Sequence, residues 1–157
     1  MMRVLCHVVH PDHRRAPSGF RGILEHVLQS VGGSQDHMTF VLCRDRMIRR
    51  LNREFLNRDE STDVISFDLS GSEEKKGKSR FRKYATSNPV GEIYVNLDRA
   101  RLQARQYGIT FWEELLRLSI HGLLHLFDYD DRNPVDRKKM MAKQEELLQK
   151  FWRPLHW

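Results

Sequence analysis

Two histidines and a group of aspartates in the last third of the sequence have the types and spacing that could do chemistry. Three residues separate His121 from His125, so on a helix they lie on one face, one turn apart, where both imidazoles can reach a single ion. Nitrogen and carboxylate ligands together suit zinc, nickel or a similar divalent ion. The spacing predicts one bound divalent metal ion, with zinc first among the candidates.

A third ligand from the aspartates requires the chain to leave the helix and turn back. Thr110 can cap a helix whose apolar residues continue to Leu126. Asp128 follows, and aspartate is one of the few residues other than glycine that tolerates the left-handed conformation of a helix-ending reversal. Such a turn can present either Asp130 or Asp131 to the two histidines.

The residue after the first histidine bears on the kind of hydrolase. Zinc proteases of the His-Glu-x-x-His type carry their general base at that position, which here is Gly122. The usual apparatus for peptide hydrolysis is therefore missing.

A second group of histidines, at 7, 10 and 13, is not expected to share an ion, because on a strand over residues 3–10 His7 and His10 point to opposite faces.

The histidine segment resembles the signature of the YbeY family of metal-dependent endoribonucleases, which act in ribosomal RNA maturation. That signature reads His-Gly-x-Leu-His-Leu-x-Gly-Tyr-Asp-His, and residues 121–131 match it with two departures. Asp128 replaces its glycine, and Asp131 replaces its third histidine. The resemblance therefore implies that His121, His125 and Asp131 hold the metal.

Other segments extend the resemblance over residues 39–148, in the family's order. Residues 62–67 are similar to its Thr-Asp-Val-Leu-Ser-Phe strand, residues 91–93 to its Gly-Asp-Ile, and residues 140–148 to its closing helix. A third departure concerns an arginine in the pattern Leu-Asn-x-x-Tyr-Arg, where this chain has Leu56. Arg53 and Arg58 flank that position, and either could supply the catalytic positive charge.

The resemblance implies a single-strand-directed endoribonuclease that uses a metal-activated water, with ribosomal RNA or ribosomal subunits as its partners. An arginine would stabilise charge on the phosphoryl group. Two alternatives stay open. The chain could be a metal-dependent hydrolase of peptides or small amides, or a ribosome-associated RNA-binding factor with a structural metal, which the leucine at position 56 favours.

Composition agrees with a small enzyme that acts on a polyanion. The 157 residues fit one domain, and the formal net charge of +6 favours a nucleic-acid partner. No apolar stretch is long enough to span a membrane, and the N-terminus lacks the order of a secretory signal, so we expect a cytoplasmic protein. Cys6 and Cys43 lie in strand-like runs and are expected to be reduced core residues. The sequence leaves the oligomeric state open.

A basic loop is predicted over about residues 70–89, where glycine and serine surround several cations and two aromatic rings. It suits single-stranded RNA, although a solvated connector fits it equally well. The cations predicted to bind RNA are Lys75, Lys76, Arg80, Arg82 and Lys83.

The order of apolar patterns predicts an α+β fold, close to α/β, with a four-stranded mixed sheet, about five helices and a central, buried metal-binding helix. Strands are expected at 3–10, 37–43, 63–69 and 92–97, and helices at 17–31, 45–56, 98–107, 110–126 and from 134 onward. Asp45 is expected to cap the second helix, Gly108 to end the third, and Asn133 with Pro134 to begin the last.

Overall fold

The fold is α+β with a four-stranded mixed sheet, as the sequence predicted, and helices cover both faces of that sheet. A computed structural model describes residues 4–33, 37–70 and 90–152. Its elements, in chain order, are β1 (Val4–Val9), α1 (Phe20–Ser30), β2 (Met38–Cys43), α2 (Asp45–Phe55), β3 (Val64–Asp68), β4 (Gly91–Asn96), α3 (Leu97–Tyr107), α4 (Phe111–His125) and α5 (Pro134–Phe151).

The four described strands lie in the order β1-β2-β4-β3. The pairs β1/β2 and β2/β4 are parallel, whereas β3 runs antiparallel to β4 at the edge of the sheet. Every residue of β2 and β4 is buried, because each of these strands has a neighbour on both sides and helices on both faces.

Alternate residues of the central strands feed two separate cores. Phe40 and Leu42 of β2 and Ile93 of β4 face a large core built with α1, α4 and α5. Val41 and Tyr94 point the other way, into a smaller core beneath α2. Helix α4 is therefore packed between the sheet and α5, with most of its residues buried.

The helix ends follow the sequence signals except at the starts of α1 and α2. Helix α1 begins at Phe20, whereas the sequence predicted a start at residue 17. The side chains of Thr110 and Asn133 accept hydrogen bonds from Glu113 N and Asp136 N, and Gly108 is left-handed at the end of α3. The prediction that Asp45 caps α2 is wrong, because Arg44 stands at the cap and makes no side-chain bond there. Asp45 instead accepts hydrogen bonds from Asn96 and Ser61, tying α2 to the end of β4.

No helix among the described residues combines the length and the apolar run that crossing a membrane requires.

Candidate metal centre and cleft

Three potential ligand atoms meet at the C-terminal end of α4. The Nε2 atoms of His121 and His125 are 3.2 Å apart, and Asp131 Oδ2 lies 3.4 Å from the first and 3.5 Å from the second. Metal-binding groups of this kind consist of at least three histidine, cysteine or acidic side chains whose ligand atoms lie close together. Among the described residues, His121, His125 and Asp131 form the one such group. The structure thus brings together the three residues predicted as ligands.

The spacing of these atoms fits a tetrahedral ion. Around a tetrahedral zinc ion with bonds of about 2.0–2.1 Å, neighbouring ligand atoms are about 3.3–3.4 Å apart. The three measured separations, 3.2, 3.4 and 3.5 Å, bracket that value. Two imidazoles and one carboxylate form a set with one position left for water or substrate. The side chains of His121, His125 and Asp131 are 16%, 32% and 40% exposed, so solvent can reach this position.

Gln144 orients the first histidine. Its Oε1 lies 2.7 Å from His121 Nδ1, so a ring that donates from Nδ1 turns an unprotonated Nε2 toward the other two ligands. Sequence reasoning assigned Gln144 no role. A polar residue within a buried row of a helix could have indicated this role. Gln144 is the polar member of the buried row of α5, whose other members are Met140, Leu147 and Leu148.

A second polar contact fixes the register between the two helices. Arg117 of α4 donates from Nε to Glu145 Oε1 of α5 at 2.8 Å, and from an η nitrogen to Glu114 Oε2 at 2.9 Å. Burial raises the pKa of Glu114, although the hydrogen bond from Arg117 opposes that rise. Because Glu145 is adjacent to Gln144, this bridge holds α5 where Gln144 can reach His121.

The surroundings of His125 favour the neutral ring that a metal needs. Burial lowers the pKa of His125 below its ordinary value, and the neighbouring His121 lowers it further, while Asp131 and Asp130 oppose the change. A metal ion binds the unprotonated imidazole nitrogen, so a lowered pKa keeps the ligand form available at more acidic pH.

The turn after α4 directs the side chain of Asp131 toward the two histidines. Asp128 is left-handed with φ of 66°, as predicted, and Leu124 O accepts hydrogen bonds from the N–H groups of Phe127 and Tyr129. Asp130 is turned away and accepts from Arg132 Nε at 2.7 Å, which lowers the pKa of Asp130 to about 2. Arg137 Nε donates to the carbonyl of Asp131 at 3.0 Å and fastens the backbone of that residue.

An open cleft of about 770 Å³ runs beside His125 and Asp131, while His121 lines a neighbouring pocket with Gln144. One wall is the turn after α4, and the other is the segment that joins α2 to β3. His125 and Asp131 line it, together with Arg58, Leu56 and Ser66. The cleft is large enough for a small ligand or part of a polymer.

The structure separates the two arginines predicted near the site. Arg58 lines the cleft, since Asn57 is left-handed at φ 57° and Arg58 N donates to Asn52 O at 3.1 Å. Arg53 lies in another surface depression with Arg46 and Arg49, and its guanidinium is 3.8 Å from Asp59. Leu56, where the resemblance expects arginine, is half exposed in the cleft.

Gly122 is a point of close contact between α4 and the sheet. A Cβ atom there would lie 2.7 Å from Ile93 Cγ2 and 2.7 Å from Val64 Cγ2, and Ser66 Oγ donates to Gly122 O at 2.6 Å. Position 122 therefore faces the strands, and a glutamate general base has no room there.

The predicted basic loop lies almost entirely outside the described residues. Its proposed RNA contacts, Lys75, Lys76, Arg80, Arg82 and Lys83, therefore have no structural placement.

Known proteins match this chain over most of its length. The sequence model of the family described as Endoribonuclease YbeY matches residues 8–152. Endoribonuclease YbeY of Salinibacter ruber is 34% identical over 139 residues, covering 88% of this chain and 85% of that protein. The Bacillus mycoides protein of the same name is 35% identical and covers 83% of each chain.

A solved structure supports the fold. The solution structure of TM1509 from Thermotoga maritima superposes with a TM-score of 0.59 at 26% identity, covering 94% of this chain and 89% of that one. Because the family match includes both histidines, Asp131 and Gln144, and because the relatives align over most of their own length, this chain belongs to the endoribonuclease YbeY family.

Proposed function

We propose that the chain is a metal-dependent endoribonuclease of ribosomal RNA maturation, with His121, His125 and Asp131 as the ligands of one divalent ion. The observation that carries this proposal is the triangle of ligand atoms, opening onto a cleft lined by Arg58, in a chain of the YbeY family. Zinc is the ion that this ligand set and its spacing favour.

The residues of the site divide the work of phosphodiester hydrolysis. Bound at the three ligands, a divalent ion would supply Lewis-acid chemistry by lowering the pKa of a water and polarising a phosphate oxygen. Gln144 keeps the His121 ring in the tautomer and orientation that ligation needs. Arg58, in the same cleft, binds the substrate phosphate and stabilises negative charge that builds on it.

The form of the cleft and the charge of the chain support an RNA substrate. The cleft is open to solvent, so a single strand can enter it without being enclosed. The net charge of +6 attracts a polyanion. Ribosomal RNA, on its own or in ribosomal subunits, is the substrate that the YbeY family assignment supports. A cytoplasmic location is part of the same proposal.

The two alternative functions fit the site less well. Gly122 packs against β3 and β4, so the general base of a zinc protease has no place there. A binding factor with a structural metal is favoured by Leu56, which leaves the family's arginine position uncharged. Structural zinc sites are closed by four protein ligands, however, whereas the described residues bring three to this point.

Reconstitution with metal tests this proposal. We expect metal-free protein to be inactive on a ribosomal RNA precursor, and protein loaded with one equivalent of zinc to cleave it. The double variant His121→Ala/His125→Ala should lose both stoichiometric metal and cleavage, whereas His26→Ala, an exposed histidine on α1, should keep both. Cleavage of peptides but not RNA by the loaded protein would refute the proposal, as would RNA cleavage that the double variant retains.

A further inference from the structure

Helix α2 carries arginines along the face that points to solvent. They occur at positions i, i+3, i+4 and i+7, which on a helix with 100° per residue places them within an arc of about 100°. The buried residues of α2 occupy the opposite side. We call these four residues the arginine stripe: Arg46, Arg49, Arg50 and Arg53.

The charges of the stripe are largely uncompensated within the described structure. Arg53 has an acidic neighbour, Asp59, at 3.8 Å, and both of these side chains are mostly exposed. No described carboxylate forms an ion pair with Arg46, Arg49 or Arg50. The two acidic residues of the helix lie outside the arc, and one of them, Asp45, is already bonded to Asn96 and Ser61.

Such an arrangement works against the helix that carries it. Like charges three or four residues apart repel one another, and the stripe contains four such pairs. A helix face that only contacts water does not need four positive charges so close together. An anion with regularly spaced charges would relieve the repulsion, and arginine binds phosphate oxygens through two parallel hydrogen bonds.

The stripe ends beside the cleft. Helix α2 closes at Phe55, and the chain reverses through the left-handed Asn57. Arg58 N then donates to the carbonyl oxygen of Asn52, the residue next to Arg53 in the helix. The side chain of Arg58 lines the cleft together with His125 and Asp131. Arg58 thus brings one positive charge from the end of α2 to the cleft, whose lining also includes the carboxylates of Glu60, Asp128 and Asp130.

We propose that the arginine stripe of α2 is a binding surface for the phosphate backbone of the RNA substrate outside the cleft. It holds nucleotides remote from the cleaved bond, and Arg58 holds the phosphate nearest the metal ligands. The inference rests on the proposed endoribonuclease function for its choice of RNA as the polyanion. Contacts of this kind position the strand and carry no sequence information.

Binding measurements without turnover test the stripe separately from catalysis. Fluorescence anisotropy of a labelled single-stranded RNA of about twenty nucleotides, with metal removed by chelation, gives the affinity at several salt concentrations. The test variant is Arg46→Gln/Arg49→Gln/Arg50→Gln. The matched control, Lys138→Gln/Lys139→Gln/Lys150→Gln, removes the same charge from exposed positions of α5.

We expect the stripe variant to bind at least about tenfold more weakly at low salt. The slope of log affinity against log salt should become shallower by about two, since three fewer counterions are released. The control should keep nearly the wild-type slope. Equal slopes for the two variants would overturn the proposal, because loss of net charge alone would then explain the effect. Thermal unfolding should show both variants folded, as all six side chains are exposed or half-exposed.

Cleavage assays distinguish failure of the stripe from failure of the proposed function. With metal restored, the stripe variant should cleave a tetranucleotide as fast as wild type but lose kcat/KM on the longer RNA. Absence of cleavage by metal-loaded wild type would refute the endoribonuclease function, while the anisotropy slopes would still decide the stripe. Equal loss on short and long substrates would show that these arginines act on the site itself and would overturn the proposal.

Discussion

His121 Nδ1 lies 2.7 Å from Gln144 Oε1, a contact between helices α4 and α5 that joins residues 23 positions apart. Gln144 is 4% exposed, so its amide is committed to contacts within the protein. The bond determines which nitrogen of His121 faces the other two ligands.

Removing this acceptor should weaken metal binding. We expect Gln144→Leu to lower zinc affinity by about 10-fold to 100-fold, because the ring loses its fixed tautomer and orientation. Gln144→Glu should retain affinity, since a carboxylate also accepts from Nδ1. Competition titrations against a chromophoric chelator measure the zinc affinity of both variants. The control is Gln149→Leu, on the exposed side of the same helix, and an equal loss there would contradict a specific role for Gln144.

The identity of the third ligand can be decided among the aspartates of the turn. Asp131→Ala should reduce zinc affinity strongly, whereas Asp130→Ala should have a smaller effect, because Asp130 is paired with Arg132 and not with the histidines. Asp131→His should retain the metal and restore the family's three-histidine set. By raising the net charge of the site, it should also raise cleavage at neutral pH. Loss of metal in Asp130→Ala with wild-type affinity in Asp131→Ala would show that the assignment is wrong.

The two arginines near the site should differ in their effect on catalysis. Arg58→Ala is expected to lower kcat/KM for RNA by about tenfold or more and to leave zinc affinity unchanged, because Arg58 lines the cleft and is not one of the three candidate ligands. Arg53→Ala should change cleavage of a tetranucleotide little, as Arg53 lies in a separate depression. Steady-state kinetics on the short substrate checks both, and the reverse order of effects would place the catalytic cation at Arg53.

Gly122 should be intolerant of even the smallest side chain. Gly122→Ala is expected to destabilise the protein by about 1–3 kcal/mol, although alanine favours helices, because its Cβ meets two branched side chains of the sheet at 2.7 Å. Gly22→Ala in α1, where a Cβ would have no neighbour within 4 Å, should stabilise by up to about 1 kcal/mol. Urea unfolding compares the two, and a neutral Gly122→Ala would mean that α4 can move away from the sheet.

The basic loop remains a prediction from sequence. Neutralising Arg80, Arg82 and Lys83 together should flatten the salt dependence of RNA binding if these residues contact phosphates. The same anisotropy assay measures this, and an unchanged slope would identify the loop as a solvated connector.

Local sequence signals determined much of the fold and the centre of the site. The spacing of His121 and His125, the caps at Thr110 and Asn133, and the left-handed residue at Asp128 all depend on chain geometry within one or two helical turns. The strand order of the sheet and its antiparallel edge were not specified by those signals, since pairing joins segments far apart in the chain.

Only the tertiary structure decided what surrounds the two histidines. Gln144 reaches His121 because α5 packs against α4, and Gly122 is required because α4 rests on β3 and β4. Asp45, a plausible cap by sequence, is drawn into hydrogen bonds with Asn96 and Ser61. The placement of Arg58 in the cleft and of Arg53 outside it likewise depends on how the chain turns after α2. The sequence by itself determined which residue types could bind a metal, because their spacing is local. Their partners and the wall of the cleft depend on contacts between distant segments, which form only when the helices pack on the sheet.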